Sequence, residues 1–165
     1  MKSDESINVG IRDDANRSLQ DAQTFLERLK PALPDLTGTW KLNPSMSKID
    51  TFGFGSSPDV LVVKHSGANL TMRHSTSPLG GETYSYVIDG KEHLAKFTKK
   101  NEFTQANAYW DGNTLVIEKH HQTKIGDFPW PEVFVTSRYS LSADGETLSV
   151  VNEAGYHAVL IYDKQ

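Results

Sequence analysis

Histidine and tyrosine side chains are the groups in this 165-residue chain whose types and spacing point to a functional site. His74, Tyr86 and His93 lie in three segments of alternating apolar residues. An imidazole beside a phenol can move a proton near neutral pH, so these three are the candidate catalytic residues if the protein is an enzyme. The alternative is that Tyr86 and His93 form a packed cross-strand pair. We weigh that use more heavily, because no third group is evident to orient the imidazole.

Other kinds of site find little support in the residues. His120 and His121 are adjacent, so on a strand they point to opposite faces and cannot share one metal ion. No spacing of His, Asp or Glu is typical of a zinc or iron site, and we expect no metal and no cofactor. The chain has no cysteine, a net charge of −4 and no run of basic residues, which argues against thiolate chemistry and a nucleic-acid partner.

A period of two in the apolar residues begins at Leu36 and predicts β-strands. Three Asp-Gly pairs, at 89–90, 111–112 and 144–145, separate such segments and are typical of two-residue type I′ hairpin turns. Ten strands are predicted, at about 37–43, 59–66, 69–75, 82–89, 92–98, 103–110, 113–121, 132–141, 146–152 and 156–163. Closure removes the exposed edges of such a meander, so we predict an all-β fold, an up-and-down antiparallel β-barrel of 8–10 strands.

A helical period marks the N-terminal segment, residues 1–35, before the predicted barrel domain of residues 36–165. Apolar residues at steps of three and four predict one α-helix over about 11–30, ended by Pro31. We favour a lid packed on the barrel over a dimerisation or membrane-touching helix. With no apolar run long enough to span a bilayer and no visible signal peptide, we expect a cytoplasmic monomer or homodimer.

Hairpin pairing assigns side chains to the barrel interior. Counting from the turns places Val63 opposite Met72, Tyr86 opposite His93, Ala108 opposite Leu115 and Leu141 opposite Leu148. Alternation then puts Lys96 on the outer face of its strand. The last strand remains open between two alternatives, Ala158-Leu160-Tyr162 or His157-Val159-Ile161. An apolar cavity with a few polar groups is typical of a small-molecule site. The residues predicted to line it are Leu61, Val63, Met72, His74, Tyr84, Tyr86, His93, Phe97, Ala106, Ala108, Leu115, Ile117, Lys119 and Tyr139.

Four aromatic residues lie in two long connections of the predicted barrel. Phe52 and Phe54 belong to the connection after the first strand, and Phe128 and Trp130 to the one over 122–131. Apolar residues in long loops favour a portal over the barrel mouth. A protein-interaction or inhibitor surface is the alternative use of these aromatic residues.

Three segments resemble landmarks of known barrels. Leu36-Thr37-Gly38-Thr39-Trp40-Lys41-Leu42 resembles the Gly-x-Trp start of lipocalins and the Gly-Thr-Trp-Lys-Leu start of fatty-acid-binding proteins. Tyr109-Trp110-Asp111-Gly112 resembles the late Trp-Asp-Gly hairpin of the second family, and Ile161-Tyr162 its closing strand. On these residues the chain is identified as a divergent, bacterial-type member of the calycin superfamily over residues 36–165.

The resemblance implies roles for several of these residues. Gly38 and Trp40 would seal one end of the barrel, with Arg138 stacked on the indole as a cation–π partner. The family's Arg-x-Tyr carboxylate site keeps its tyrosine as Tyr162 but has Leu160 in place of the arginine, and the family's second basic position falls on Lys119. The implied function is therefore binding of a small hydrophobic molecule, with aromatic and polycyclic molecules among the candidates, but without fatty-acid specificity. The alternative is a cofactor-independent cyclase or isomerase acting on a hydrophobic intermediate in the same cavity.

Overall fold

A computed structural model describes residues 15–25, 32–49, 58–77, 80–99, 102–125, 128–129, 132–154 and 157–165 of the chain. The chain divides into two compact units, Met1–Leu33 and Pro34–Gln165. The first contains helix α1 over 15–25, which confirms the central part of the predicted helix. The rest of the predicted helix, 11–14 and 26–30, lies outside the described residues. Within the described residues, no helix is both long and apolar enough to cross a lipid bilayer.

The second unit is built from antiparallel β-strands, as the period of two predicts. Ten long strands and two two-residue strands are described. They are β1 (Gly38–Leu42), β2 (Lys48–Ile49), β3 (Val60–Ser66), β4 (Asn69–Ser77), β5 (Gly80–Val87), β6 (Glu92–Lys99), β7 (Glu102–Asp111), β8 (Thr114–Ile125), β9 (Phe128–Pro129), β10 (Val133–Leu141), β11 (Thr147–Glu153) and β12 (His157–Lys164).

The sheet curves into a nearly closed barrel. Its strands follow the order β5-β4-β3-β1-β12-β11-β10-β8-β7-β6, with β2 paired to β12 and β9 paired to β8. The first strand joins the last, because β1 pairs with both β3 and β12. The two ends of this order, β5 and β6, are consecutive in the chain, and an isolated bridge joins Ile88 to Ala108 beside them. The predicted up-and-down barrel of ten strands is therefore confirmed.

The glycine of each predicted Asp-Gly turn has a positive φ, between 59° and 76°. No other residue type among the described residues has one, so these turns are not of type I′, which requires a positive φ at both central residues. In two of the three turns the aspartate side chain accepts a hydrogen bond from the turn backbone. Asp89 Oδ1 accepts the backbone N–H of Lys91 at 3.0 Å, and Asp144 Oδ1 accepts that of Glu146 at 3.1 Å. This side-chain turn explains why aspartate precedes glycine here.

Alternate residues of the long strands form one apolar core inside the barrel. The burial of Ala158, Leu160 and Tyr162 settles the facing of the last strand. The buried residues are Leu36, Trp40, Leu61, Val63, Leu70, Met72, Tyr84, Tyr86, Ala95, Ala106, Ala108, Leu115, Ile117, Tyr139, Leu148, Val150, Ala158, Leu160 and Tyr162. Burying one such large apolar side chain stabilises a fold by about 1.5–3 kcal/mol, so this core is the main source of barrel stability.

Two predicted hairpin registers are confirmed and a third is shifted. Val63 lies opposite Met72, as counted from the turn, and Leu141 lies opposite Leu148. Ala108, however, pairs with Ile117 and not with Leu115. The turn between β7 and β8 follows Asp111, so the pairing moves by two residues and each side chain keeps its predicted face.

The predicted pairing of β5 with β6 is wrong. Tyr86 pairs with Leu70 of β4, and His93 pairs with Ala106 of β7, so the two are not cross-strand partners. A register shift between Leu94 and Lys96 then places Lys96 opposite Thr104. One extra residue in a strand exchanges its two faces, so Lys96 shares the face of Thr104, whereas the alternation predicted it on the outer face.

Trp40 is fully buried near the start of the barrel, as predicted. Its indole Nε1–H donates to the carbonyl oxygen of Leu36 at 3.0 Å. A Cβ atom at Gly38 would lie 3.3 Å from the indole nitrogen, which explains a glycine two residues before the tryptophan. The cation over the ring is Lys164, with Nζ 5.6 Å from its centroid. The predicted role of Arg138 is wrong, because its guanidinium lies 3.6 Å from Asp111.

Candidate ligand-binding site

Three rings form a continuous strip on β4 and β5. His74 and Tyr84 have ring centroids 5.3 Å apart, and Tyr84 lies 6.2 Å from Tyr86 with its ring nearly parallel, at 7°. His74 pairs with Leu61, and Tyr86 with Leu70, both of which are buried. The strip therefore runs along the inner wall, from the end where β4 finishes and β5 begins towards the middle of the barrel.

Two polar atoms of this strip are buried without a hydrogen-bond partner among the described residues. They are Nε2 of His74 and the hydroxyl of Tyr86. A buried polar group that lacks a partner costs about 1–3 kcal/mol, so such atoms are rare in folded proteins. Burial also raises the pKa of Tyr86 well above its usual value, with smaller contributions from Tyr139 and Tyr84. The phenol therefore remains protonated at physiological pH and is available as a donor.

A carboxylate with two donors lies at the same end of the strip. Tyr84 donates its hydroxyl to one oxygen of Glu82 at 2.9 Å, and Lys96 donates from Nζ to the other at 2.5 Å. Lys96 Nζ also lies 5.1 Å from the centroid of the Tyr84 ring. The bond from Lys96 is the largest cause that lowers the pKa of Glu82. The carboxylate is therefore ionised at neutral pH and shared between the two donors.

A second lysine approaches the same aromatic ring from β8. Lys119 is partly buried and pairs with Ala106 and Val135. Its Nζ lies 5.7 Å from the Tyr84 centroid. Burial lowers the pKa of this amine to about 8, opposed by the charge of Glu82. Two lysines thus face one tyrosine, but only Lys96 bonds to the carboxylate.

The histidines near these lysines are poor bases. Burial lowers the pKa of His74 to about 4, with Lys119 and Lys96 adding to the shift and Glu82 opposing it. His121 Nδ1 and the Thr104 hydroxyl form a hydrogen bond of 2.8 Å, and burial also lowers the pKa of His121. Both imidazoles are therefore neutral at pH 7, which suits hydrogen bonding to a neutral group.

Most of the residues predicted to line the site lie in one buried cluster. That cluster contains Leu61, Val63, Met72, Tyr84, Tyr86, Ala106, Ala108, Leu115, Ile117 and Tyr139. Burial raises the pKa of Tyr139 to about 12, so this phenol is also protonated at neutral pH. His74 and Lys119 join these residues at one end of the barrel, through their contacts with Tyr84.

His93 does not join the cluster. Its Nε2 lies 3.0 Å from Asp89, and its side chain is 38% exposed. The hydrogen bond from His93 is the main cause that lowers the pKa of Asp89. This histidine therefore holds the turn that follows β5, and the predicted proton-relay pair with Tyr86 is not formed.

The remaining predicted residues lie at positions where side chains are not described. The backbone of Phe97 pairs with Phe103, and that of Phe128 pairs with Ile125, but both side chains fall outside the described part of the chain. The other predicted portal residues, Phe52, Phe54 and Trp130, lie outside the described residues altogether. The portal remains a prediction.

Three polar residues near Tyr84, namely Glu82, Lys96 and Thr104, are not predicted as site residues from the sequence. Glu82 stands at the start of β5 and Thr104 near the start of β7, where alternation alone assigns no function. Alternation predicts an outer face for Lys96, because the irregularity beside Ala95 has no glycine to mark it. The available signal for this ion pair was a glutamate and a lysine fourteen residues apart on consecutive strands.

A separate hollow lies over β7, β8 and β10. The opposite facing of the two adjacent histidines is confirmed, since His121 bonds to Thr104 whereas His120 stacks on Phe134 with centroids 4.4 Å apart. Phe134 is 64% exposed. The hollow has a volume of about 320 Å³ and is lined by Glu92, Asn107, Glu118, Lys119, His120, Phe134, Val135 and Thr136.

Comparison with solved structures identifies proteins of similar architecture. An abundant heat soluble (SAHS) protein from Ramazzottius varieornatus aligns with a TM-score of 0.56 and 15% identity, over 78% of this chain and 94% of that one. A mutant of the fluorescent protein UnaG aligns at 0.53 and 16%, over 78% and 95%. Fatty-acid-binding protein 1 from Echinococcus granulosus aligns at 0.51 and 16%, over 78% and 96%.

Sequence comparison adds nothing to this assignment, since no protein-family model and no curated protein matches the chain. The likeness therefore concerns architecture. It agrees with the strand order, in which the first strand joins the last and the order ends between β5 and β6. The chain has the fold of the calycin-like β-barrels.

Proposed function

We propose that the barrel binds a small hydrophobic molecule in its interior, against the ring strip of His74, Tyr84 and Tyr86. The observation that carries the proposal is the pair of buried atoms without partners, His74 Nε2 and the Tyr86 hydroxyl. Each costs free energy while it lacks a hydrogen bond, and a bound molecule that supplies one recovers that cost. A protein named as a fatty-acid-binding protein shares the fold, which supports the same use of the interior.

The wall chemistry indicates what the ligand carries. Tyr84 and Tyr86 present aromatic surface, which favours a ring or an unsaturated chain. Tyr86 is a donor, so the ligand has at least one acceptor oxygen or nitrogen. Ala106 and Ala108 are small and buried on β7, which lies near the end of β5, and small side chains there favour a substituent beside the rings. The ligand is therefore predominantly apolar, with one or two polar atoms.

The alternative of a cyclase or isomerase is less well supported. It needs a proton donor or acceptor poised near neutral pH, and the three candidates do not supply one. His93 bonds to Asp89, His74 has a pKa lowered to about 4, and Tyr86 is a very weak acid. Binding is the function that these groups support best.

Titration with the apolar fluorophore nile red tests the proposal. The wild-type barrel is expected to bind the probe saturably and in a one-to-one ratio. Ala106→Phe places a ring into the interior beside Lys119, and we expect it to weaken binding at least tenfold. Phe134→Ser alters an exposed residue of the outer hollow and serves as the matched control, with unchanged binding.

Circular dichroism checks that each variant keeps its strand content. Absence of saturable binding by the wild type would overturn the proposal, as would equal loss in Phe134→Ser. If Ala106→Phe does not fold, Tyr86→Phe replaces it, because the loss of one donor is expected to weaken binding about five- to tenfold.

A further inference from the structure

The two lysines that face Tyr84 are in different electrostatic situations. Lys96 Nζ is bonded to Glu82, with its side chain 17% exposed. Lys119 Nζ lies near the same ring, and none of the ion pairs found among the described residues involves it. Lys96 therefore has a carboxylate partner, whereas Lys119 is partly buried and has no counter-ion among the described residues. A lysine desolvated beside another cationic group is the usual setting of a nucleophilic amine.

The site already contains its own anion. Glu82 takes one hydrogen bond from Tyr84 and one from Lys96, so an anionic ligand head group would have to compete with it. Such a head group would also meet the charge of Glu82. A neutral polar group meets no such repulsion. The arrangement around Lys119 consequently favours an uncharged electrophile over a carboxylate or phosphate.

We propose that Lys119 captures an apolar aldehyde reversibly, as an imine, inside the barrel. The proposal rests on the proposed function, because the aldehyde must first occupy the interior. The neutral Nζ adds to the carbonyl carbon, forming a C–N bond as the carbonyl electron pair moves to oxygen. That oxygen takes up a proton and the nitrogen loses one, giving a carbinolamine. The hydroxyl then leaves with a second proton as water, and a C=N bond remains. Amine and aldehyde thus give imine and water, with no oxidant or reductant.

The surrounding groups support each proton movement. Lys96 Nζ lies 5.1 Å from the centroid of the same ring, where it can donate a hydrogen bond to the departing hydroxyl. His74 and His121 are neutral, so each can take part in a hydrogen bond to the carbinolamine, and Glu82 disfavours removal of the positive charge from Lys119. Tyr84 remains protonated, because burial and Glu82 both raise its pKa. The balance of burial over the charge of Glu82 leaves Lys119 with a pKa of about 8, so it supplies the free amine near neutral pH.

Reductive trapping with cinnamaldehyde tests the proposal. The protein is incubated with the aldehyde and sodium cyanoborohydride between pH 6 and 10, and the adducts are located by peptide mass spectrometry. Lys64 is exposed on β3 and serves as the internal comparison. An amine whose pKa is lowered from 10.5 to about 8 has on the order of 300-fold more free base at pH 7. After allowance for its weaker nucleophilicity, we expect Lys119 to react at least tenfold faster than Lys64.

Lys119→Met removes the amine and keeps an unbranched apolar side chain. It is expected to lose the fast adduct, whereas Lys64→Met keeps it. The ratio of the Lys119 rate to the Lys64 rate is expected to fall as the pH rises above 8, because the free base of Lys64 then still increases while that of Lys119 approaches saturation. Labelling of Lys119 no faster than Lys64, or fast labelling that persists in Lys119→Met, would overturn the proposal.

Nile red separates this proposal from the proposed function. If the wild type binds the dye but Lys119 shows no fast adduct, the interior binds ligands without covalent capture. If the dye does not bind, the proposed function fails. A fast adduct at Lys119 that nile red does not slow would place the reaction outside the proposed cavity and would contradict the proposal.

Discussion

Replacing Tyr86 by phenylalanine removes one hydroxyl and leaves the ring. That hydroxyl is buried and has no partner among the described residues, so its removal relieves a desolvation cost of about 1–3 kcal/mol. The space left by one oxygen atom offsets part of this gain. We therefore expect Tyr86→Phe to raise the free energy of unfolding of the ligand-free protein by about 1 kcal/mol. In a domain of this size, that is a rise in Tm of about 2–4 °C.

Tyr84→Phe is the matched control, since the same change is made on the same strand two residues away. The Tyr84 hydroxyl donates to Glu82 at 2.9 Å, and a bond to a charged acceptor contributes about 1.5–3 kcal/mol when buried. Glu82 is 61% exposed, so solvent screening reduces this to about 1 kcal/mol. The two variants are thus expected to shift stability in opposite directions.

Urea denaturation followed by tryptophan fluorescence measures both changes, with and without saturating nile red. The gain in unfolding free energy of Tyr86→Phe is expected to shrink or reverse when the probe is bound, because the wild-type hydroxyl then donates a hydrogen bond to the probe. If Tyr86→Phe destabilises the ligand-free protein as much as Tyr84→Phe does, the hydroxyl is already satisfied and the argument for an occupied interior fails.

Two further variants test the electrostatics and the packing of the barrel. The pKa of His74 is about 4 in the folded protein and 6.5 in the unfolded chain, so the unfolded chain binds more protons between these pH values. The contribution of His74 to the free energy of unfolding is therefore complete above pH 7 and is lost as the pH falls to 4. His74→Gln is expected to reduce the loss of unfolding free energy between pH 7 and pH 4 by up to about 3 kcal/mol, measured by urea denaturation. An unchanged pH dependence would show that groups other than His74 cause this loss. Trp40→Phe removes the hydrogen bond to the buried Leu36 carbonyl and is expected to lower the unfolding free energy by about 2 kcal/mol. Thermal denaturation measures this change, and a loss below about 0.5 kcal/mol would contradict a sealing role for the indole.

Local rules account for much of the barrel. The period of two and the Asp-Gly pairs located the ten long strands, since alternation reports which side chains face a core and turns need glycine at a positive φ. The short hairpins of β3 with β4 and of β10 with β11 then determined which residues face inward, because a turn sets the register of the strands that it joins. Leu61, Met72 and Tyr139 could therefore be assigned to the interior from the sequence alone.

Contacts between distant segments decided the polar end of the site. The order of strands ends between β5 and β6, so a hairpin that the sequence predicts is replaced by pairing of β6 with β7 alone. A register shift beside Ala95 then turns Lys96 towards Tyr84 and Glu82, and no residue type in this segment predicts that shift. Lys119 meets that group only because the sheet curves until β8 faces β5. Alternation within one strand determined which residues lie inside the barrel. Closure of the sheet decided which of them meet, because it sets the distances between strands far apart in the chain.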